Sequence, residues 1–379
     1  MNLGKIRAAY AEVGSDTDVA PFSHMLGYTI NSNLFQGPTS VQPLGAIGTS
    51  VVPNPNLRPM RVKEYEFGLN VQLFDRINFD ITYYNKLSID QILQAAISNT
   101  SGFTSQLINV GESVNKGVEI LLNVTPIQKD AFSWDVTFNG AYNTSEVLKL
   151  GLDGSDVSIG GTIRQVVGLP LGQIYNRGYL RDDQGRKIFN PNNGLPETTA
   201  EEIHLGSAIP KWVGGITNTL NYKGLSVSAL VDFKLGHDLI SSAEFDYVRH
   251  GKHKKTLVGR AEGYVIGVGV TPDGNSNTTQ VDVQTYYEAD ARIREDFVYN
   301  AGFWKLRQVT IGYDFTHLNG LTEFLPVQGL TLSAVANNVY TIKRWTENMD
   351  PEQVHQINGT QDIALPMVRS YGLNLRVQF

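Results

Sequence analysis

Ser370-Tyr371-Gly372-Leu373-Asn374-Leu375-Arg376-Val377-Gln378-Phe379 decides the fold class. Successive side chains of a strand point to opposite faces. Tyr371, Leu373, Leu375, Val377 and Phe379 therefore share one face, and Ser370, Gly372, Asn374, Arg376 and Gln378 share the other. One face is wholly apolar and the other wholly polar, as expected for a strand between two different solvents.

The same split recurs upstream. Phe132, Trp134, Val136, Phe138 and Tyr142 alternate with Ser133, Asp135, Thr137, Asn139 and Asn143. Leu225, Val227, Ala229, Val231 and Phe233 interleave with Ser226, Ser228, Asp232 and Lys234. Tyr65 to Leu73, Ile77 to Tyr83 and Val118 to Val124 behave alike, and no charge falls on these apolar faces. Weaker alternation covers Lys5 to Val13, Trp212 to Tyr222, Phe303 to Phe315 and Leu330 to Val339. In the third of these, Trp304 and Leu306 share one parity while Val309, Ile311, Tyr313 and Phe315 share the other. One extra residue near Arg307-Gln308, a β-bulge, accounts for the slip.

About ten strands result, and the links between them sort by length. They run long (Gly14 to Met60), short (Asp75-Arg76), long (Leu87 to Lys116), short (Pro126 to Ala131) and long (Ser145 to Lys211). They continue short (Lys223-Gly224), long (Leu235 to Ala301), medium (Thr316 to Gly329) and long (Thr341 to Pro366). Outer-membrane barrels have short periplasmic turns and long external loops, whereas soluble sandwiches and lipocalin-like barrels have no reason to alternate. The expected fold is all-β, an antiparallel transmembrane β-barrel portion. By parity Phe379 falls on the periplasmic rim. A terminal aromatic closing such a strand is general among bacterial barrel proteins, and Phe379 is expected to serve as the barrel-assembly signal.

Composition narrows the function classes. The chain has no cysteine, which removes disulfides, thiolate metal sites and cysteine nucleophiles together. Its net charge of −6 is the wrong sign for a nucleic-acid binder. No apolar run reaches the length of a transmembrane helix, so a membrane role falls to strands. Met1 to Arg7 has no signal-peptide pattern, and an exported barrel needs one. More chain is therefore expected upstream, with the first strand near Lys5 to Val13 starting mid-barrel and leaving an unpaired seam.

Several segments, in order, resemble the SusC/RagA-like branch of the TonB-dependent transporters of Bacteroidetes. They are Asn54-Pro55-Asn56-Leu57-Arg58-Pro59 with Glu64 to Leu69, Phe79 to Lys86, and Asn109-Val110-Gly111-Glu112 with Asn115-Lys116-Gly117-Val118-Glu119. Further on come Gly168 to Gln173, Leu205 to Trp212, Asn218 to Gly224, Phe303 to Tyr313, Asn337 to Tyr340 and Asp350-Pro351-Glu352. The resemblance implies the C-terminal part, residues 1–379, of a barrel of roughly twenty-two strands. The signal peptide, plug and first barrel half are absent from this sequence. It further implies an outer-membrane importer of glycan oligomers or peptides, with a SusD-like lipoprotein as lid and the TonB complex as motor through the missing part.

Chemistry has little purchase. Of seven histidines only His250 and His253 are close, within Arg249 to Lys255, and no carboxylate at a useful spacing accompanies them. That run reads as a solvated basic loop. Asp182-Asp183-Gln184-Gly185 and Pro272-Asp273-Gly274-Asn275 resemble pieces of calcium loops but read as turns. Tyr175, Tyr179 and Trp345 are candidates for stacking on substrate, against membership of the aromatic girdle. No catalytic residue, cofactor or metal site is expected. The alternatives from other classes are a small outer-membrane barrel enzyme, which needs a histidine beside a serine or a carboxylate pair, and a passive porin.

Overall fold

A computed structural model describes residues 3–15, 21–36, 41–150, 156–160, 162–318, 327–355, 360–361 and 367–379. Ten long strands form one continuous antiparallel sheet in chain order. They are β1 (Leu3–Ser15), β2 (Met60–Leu73), β3 (Ile77–Ala96), β4 (Ser105–Lys129) and β5 (Phe132–Lys149). The second five are β6 (Trp212–Tyr222), β7 (Leu225–Leu235), β8 (Phe303–Asp314), β9 (Gly329–Arg344) and β10 (Ser370–Gln378). Val51–Val52 adds a short parallel pairing to Ser105 and Gln106 of β4. Among the described residues β1 pairs only with β2 and β10 only with β9, so the sheet is an open wall with two edges.

The short turns follow from local chemistry. Phe74 and Asp75 both take positive φ, 56° and 55°, and so do Lys223 and Gly224, 45° and 86°. Two consecutive left-handed residues match the twist of the flanking strands. The Pro126 link is tighter than the sequence suggests, because a bulge between Val124 and Ile127 absorbs the proline and pairing runs on to Lys129 and Phe132.

The link from Leu87 to Lys116, expected as a loop, is mostly strand. β3 is 20 residues long and β4 is 25. At about 3.4 Å per residue β3 extends roughly 65–70 Å, well beyond an apolar band of roughly 25 Å. The cause is a pair of register shifts between Ser88 and Ile92, which break the alternation without ending the pairing.

The bulge at Arg307 stands where the parity slip places it. Leu230 pairs with Gln308 and Val231 with Leu306, leaving Arg307 unmatched. On its other side Leu306 pairs with Tyr340 and Gln308 with Asn337, and Asn338 takes a φ of 52°.

The apolar face of the wall is open. Phe67 is 57% exposed, Ile311 50% and Leu373 80%. Across the sheet Ala8, Phe67, Tyr83, Val118, Tyr142, Trp212 and Leu235 fall in one register row, with Tyr10 and Tyr65 opposite each other in the next. Tyr10 contacts Tyr65 and Tyr142 contacts Trp212, with ring centroids 4.8 and 4.7 Å apart. Aromatic rows of this kind mark a membrane interface. Asn218, an amide on this face near the other end, accepts a hydrogen bond from the Trp134 indole at 3.3 Å.

The links after β5, β7 and β9 fold together at the long-loop end into a cap. It holds helices α1 (Ser242–Arg249) and α2 (Val283–Asp290), and small sheets built from Val157–Gly160, Ile163–Gln165, Gln173–Asn176 and Ile203–Ser207, and from Asp238–Ser241 with Val298–Asn300. Val248, Val265, Tyr287, Ala291 and Phe297 form its main core. Ile163, Ile174 and Ile240 form a second cluster, and Leu239, Ala301 and Met349 a third. Among the described residues no helix is long and apolar enough to cross a membrane.

Candidate functional site: the polar face of the wall and its cap

The polar face carries a cross-strand hydrogen-bond network. Arg7 donates through both terminal nitrogens to Asp80, at 2.8 and 2.6 Å, and to Thr82 at 3.0 Å. Asn70 donates to the same carboxylate at 2.8 Å. Thr125 donates to Asp135 at 2.7 Å, Thr137 to Asn123 at 2.9 Å and Asn221 to Ser133 at 3.0 Å. Each of these groups thus meets a partner from another strand, which satisfies it at a surface where burial without a partner is costly.

Two of these links step over a whole strand, and a glycine beneath each makes that feasible. Arg7 crosses β2 above Gly68, where a Cβ would sit 2.8 Å from its Nη2. Tyr84 crosses β4 above Gly117 and donates to Asn143 of β5 at 3.1 Å. A Cβ at Gly117 would sit 2.5 Å from the Tyr84 hydroxyl and 2.6 Å from the Tyr142 carbonyl oxygen. The glycines of Glu66-Phe67-Gly68-Leu69 and Asn115-Lys116-Gly117-Val118 therefore have a steric role on the polar face.

A hollow of about 460 Å³ opens on this face, lined among others by Asp80, Thr82, Glu119, Asn139, Asp232 and Lys234. Beside it lies a group of five charges. Lys305, whose side chain is 6% exposed, donates to Asp350 at 2.6 Å and Glu352 at 2.7 Å. Arg307 donates to Glu352 at 2.8 Å and to Asp232 through Nε and Nη2 at 2.9 and 2.6 Å. Asp350-Pro351-Glu352 thus pins the link after β9 to the inner wall.

The cap has its own buried charge network. The Tyr179 hydroxyl lies 2.7 Å from Asp290 and 2.8 Å from Asp296, its one proton shared between them, and Lys255 donates to both carboxylates at 2.9 Å. Lys187 stands 3.2 Å from the Tyr179 ring centroid. Burial first, then Asp290 and Asp296, pushes the Tyr179 hydroxyl far above its ordinary range. Lys255 is held above the usual lysine range: burial opposes its charge, and Asp290 and Asp296 outweigh the burial. Asp296 is held below the carboxylate range, with Lys255 outweighing its burial. Burial lowers Lys187. His237, 9% exposed, is depressed to about 4 by burial and then by Lys234.

The sequence candidates fall in different places. Tyr179 is 2% exposed, its hydroxyl bonded and its ring covered by Lys187, so it joins two cap segments and presents no open face. Tyr175 is half-buried on a small cap sheet, with the Arg164 guanidinium 5.4 Å and the His204 ring 5.5 Å from its ring. Trp345 is 45% exposed and lies over Gly302, where a Cβ would sit 3.0 Å from its Cζ3. Gly302 has the strand parity of Trp304, whose ring stacks on Phe233 on the apolar face at 4.4 Å. Trp345 therefore continues the apolar face toward the cap. Phe379 is 83% exposed, just beyond β10.

The basic run is only partly solvated. Arg249, His250, Lys252 and Lys254 are exposed, whereas Lys255 enters the cap network and His253 turns inward to Glu244, 3.0 Å away and 2% exposed. Sequence spacing missed that carboxylate because it belongs to α1, brought back by the turn at Gly251. His253 Nδ1 accepts from the Lys255 backbone, which leaves Nε2 as the donor to Glu244. Asp182 is taken up by its own turn, accepting from the backbones of Gln184 and Arg186 and from the Arg186 side chain. Residues 271–275 close a turn through Thr271 and Asn275.

Comparison with known proteins gives concordant matches. The family model of the TonB dependent receptor-like β-barrel matches residues 5–339. TonB-dependent receptor P39 of Formosa agariphila is 23% identical over all of this chain and 40% of its own length. TonB-dependent receptor SusC of Bacteroides thetaiotaomicron is 24% identical over 99% of this chain and 37% of its own length. The chain thus spans about two fifths of the length of these relatives. The solved RagAB peptide transporter shares the fold, with a TM-score of 0.75 at 20% identity over 99% of this chain and 41% of that one.

Proposed function

The chain belongs to the TonB dependent receptor-like β-barrel family, a family of outer-membrane transporters and not of enzymes, and from that premise we propose that it is the wall and outer mouth of an importer for glycan oligomers or peptides. The carrying observation is the polar face, where Thr82, Asn139 and the paired carboxylates Asp80 and Asp232 line a hollow and further hydroxyl and amide pairs continue along the strands. Such a surface suits an oligomer rich in hydrogen-bonding groups, because each contact replaces one made to water. The likeness to RagAB, a peptide transporter, supports the peptide side of the proposal.

A SusD-like lipoprotein is the proposed partner at the cap, and the TonB complex the proposed source of energy through a further part of the importer. Of the three candidate aromatics Tyr175 is the one proposed to meet substrate, being half-exposed with a cation beside its ring. Phe379 is the proposed assembly signal.

The test is a strain lacking this gene, supplied with labelled oligosaccharide and peptide mixtures. Loss of uptake of one class, restored by the intact gene and abolished when TonB is removed, is the expected result. Uptake that persists without TonB would favour a passive porin and sink the proposal. In the same strain, deletion of Phe379 should lower the amount of protein in the outer-membrane fraction.

A further inference from the structure

Two of the carboxylates around the hollow of about 460 Å³ are answered by the wall itself. Asp80 is held by Arg7 and Asn70, and Asp232 by Arg307. Three other polar side chains that line the same hollow are not held. Glu119 of β4, Asn139 of β5 and Lys234 of β7 are exposed, and none has a hydrogen-bond or ion-pair partner among the described residues.

Register sets these three in order. Glu119 pairs with Ala141, Ala141 with Val213 and Val213 with Lys234, so one row across the wall begins with a carboxylate and ends with an ammonium. Asn139 lies between them in the adjacent row of the same face, where it pairs with Gly215. The floor between the charges is low, with Ala141 and Val213 in one row and Gly215 in the next. A Cβ at Gly215 would sit 3.3 Å from Asn139 Oδ1, so the glycine leaves room for the amide above it. Three strand spacings separate the two charges, about 14 Å. At that separation water and salt screen one from the other, and neither neutralises its opposite.

We propose that this trough binds a short peptide with both ends free, its ammonium on Glu119, a peptide group on Asn139 and its carboxylate on Lys234. The assignment rests on the importer reading above and narrows the substrate at this site to one class. An extended chain advances about 3.3 Å per residue, so about four residues span the two charges. The Asn139 amide carries a donor and an acceptor, which matches the N–H and C=O of a peptide group. A neutral glycan brings no charge to either bank, and the strong charge-assisted bonds stay unmade.

The test is calorimetric titration of the intact importer in detergent micelles with tetraalanine, its N-acetyl form, its C-terminal amide and a neutral tetrasaccharide. Blocking either end should weaken binding by about tenfold, the loss of one charge-assisted hydrogen bond. The tetrasaccharide should not displace the peptide. These measurements use the parent protein and so do not depend on a variant that folds. Glu119→Gln should weaken tetraalanine by about tenfold and leave the N-acetyl form within about twofold, and Lys234→Gln should do the same while sparing the C-terminal amide. Absence of tetraalanine binding, displacement by the tetrasaccharide, or equal binding of free and blocked peptides overturns the proposal. Equal losses for free and blocked peptides in either variant also overturn it, because the charges would then serve the wall or another part of the importer. TonB-dependent uptake with free and blocked peptides bound alike removes this site and leaves the importer. End-specific binding without TonB-dependent uptake removes the importer and leaves the site.

Discussion

The wall and the cap of this protein hide their apolar side chains in opposite ways. In the cap, Val248 is 1% exposed, Phe297 2% and Leu239 is fully buried, as in any water-soluble domain. On the wall, Tyr65 is 50% exposed and Ile311 50%, while the opposite face carries the paired polar groups. The same chain therefore obeys two rules, because it meets two solvents. In lipid an exposed apolar face costs nothing, and only the strand ladder keeps the backbone satisfied. In water the cap must bury its apolar groups to be stable at all.

This contrast fails in distinct ways if it is wrong. The largest expected effect is in the cap, where Phe297→Ala should cost about 3–5 kcal/mol of local stability by leaving a cavity in the main cluster. Limited proteolysis should then cut within residues 242–300 while the wall resists. Cleavage of both together would mean that cap and wall are one cooperative unit.

Next comes Ile120→Arg, on the apolar face of β4, expected to cost about 2–4 kcal/mol near the bilayer midplane. Its effect is read as loss of the folded, heat-modifiable band on gels. Thr137→Val, on the polar face, should leave that band in place and lose only the bond to Asn123. Equal effects of the two would erase the distinction between the faces.

The smallest is a pH effect confined to the cap. His237 is depressed to about 4 in the folded protein, against an ordinary value of about 6.5 in the unfolded chain. Above about pH 6.5 both states are neutral and no penalty exists. As pH falls from there toward 4 the unfolded chain takes up a proton that the folded cap refuses, so stability drops, on the order of 2–3 kcal/mol in total. Asp296, held below the carboxylate range, loses its contribution only at lower pH. His237→Asn should flatten the cap's melting profile between pH 6.5 and 4.5, and an unchanged slope would assign it to other groups.

Legibility in the sequence tracks the same division. The wall strands were readable because lipid on one side and a polar lumen on the other impose a strict period of two, and even the bulge at Arg307 declared itself as a parity slip. The distal halves of β3 and β4 were not, since beyond the membrane no solvent contrast enforces alternation and two register shifts scramble what remains. In the cap the pattern vanishes. Tyr179 and Trp345 read alike as loop aromatics, yet one is buried under Lys187 against two carboxylates and the other lies on Gly302. His253 looked like part of a solvated run until α1 brought Glu244 beside it.

The sequence by itself determined that this chain crosses a membrane as strands, which face of each strand is apolar, and where the short turns lie. These properties are local: they follow from side-chain alternation and turn chemistry within a dozen residues. The tertiary structure alone decided that Arg7 reaches over Gly68, Tyr84 over Gly117, and that Asp350 and Glu352 return to Lys305 and Arg307. Those contacts join residues tens of positions apart, and their geometry depends on how distant strands and links are brought side by side, which no local spacing along the chain encodes.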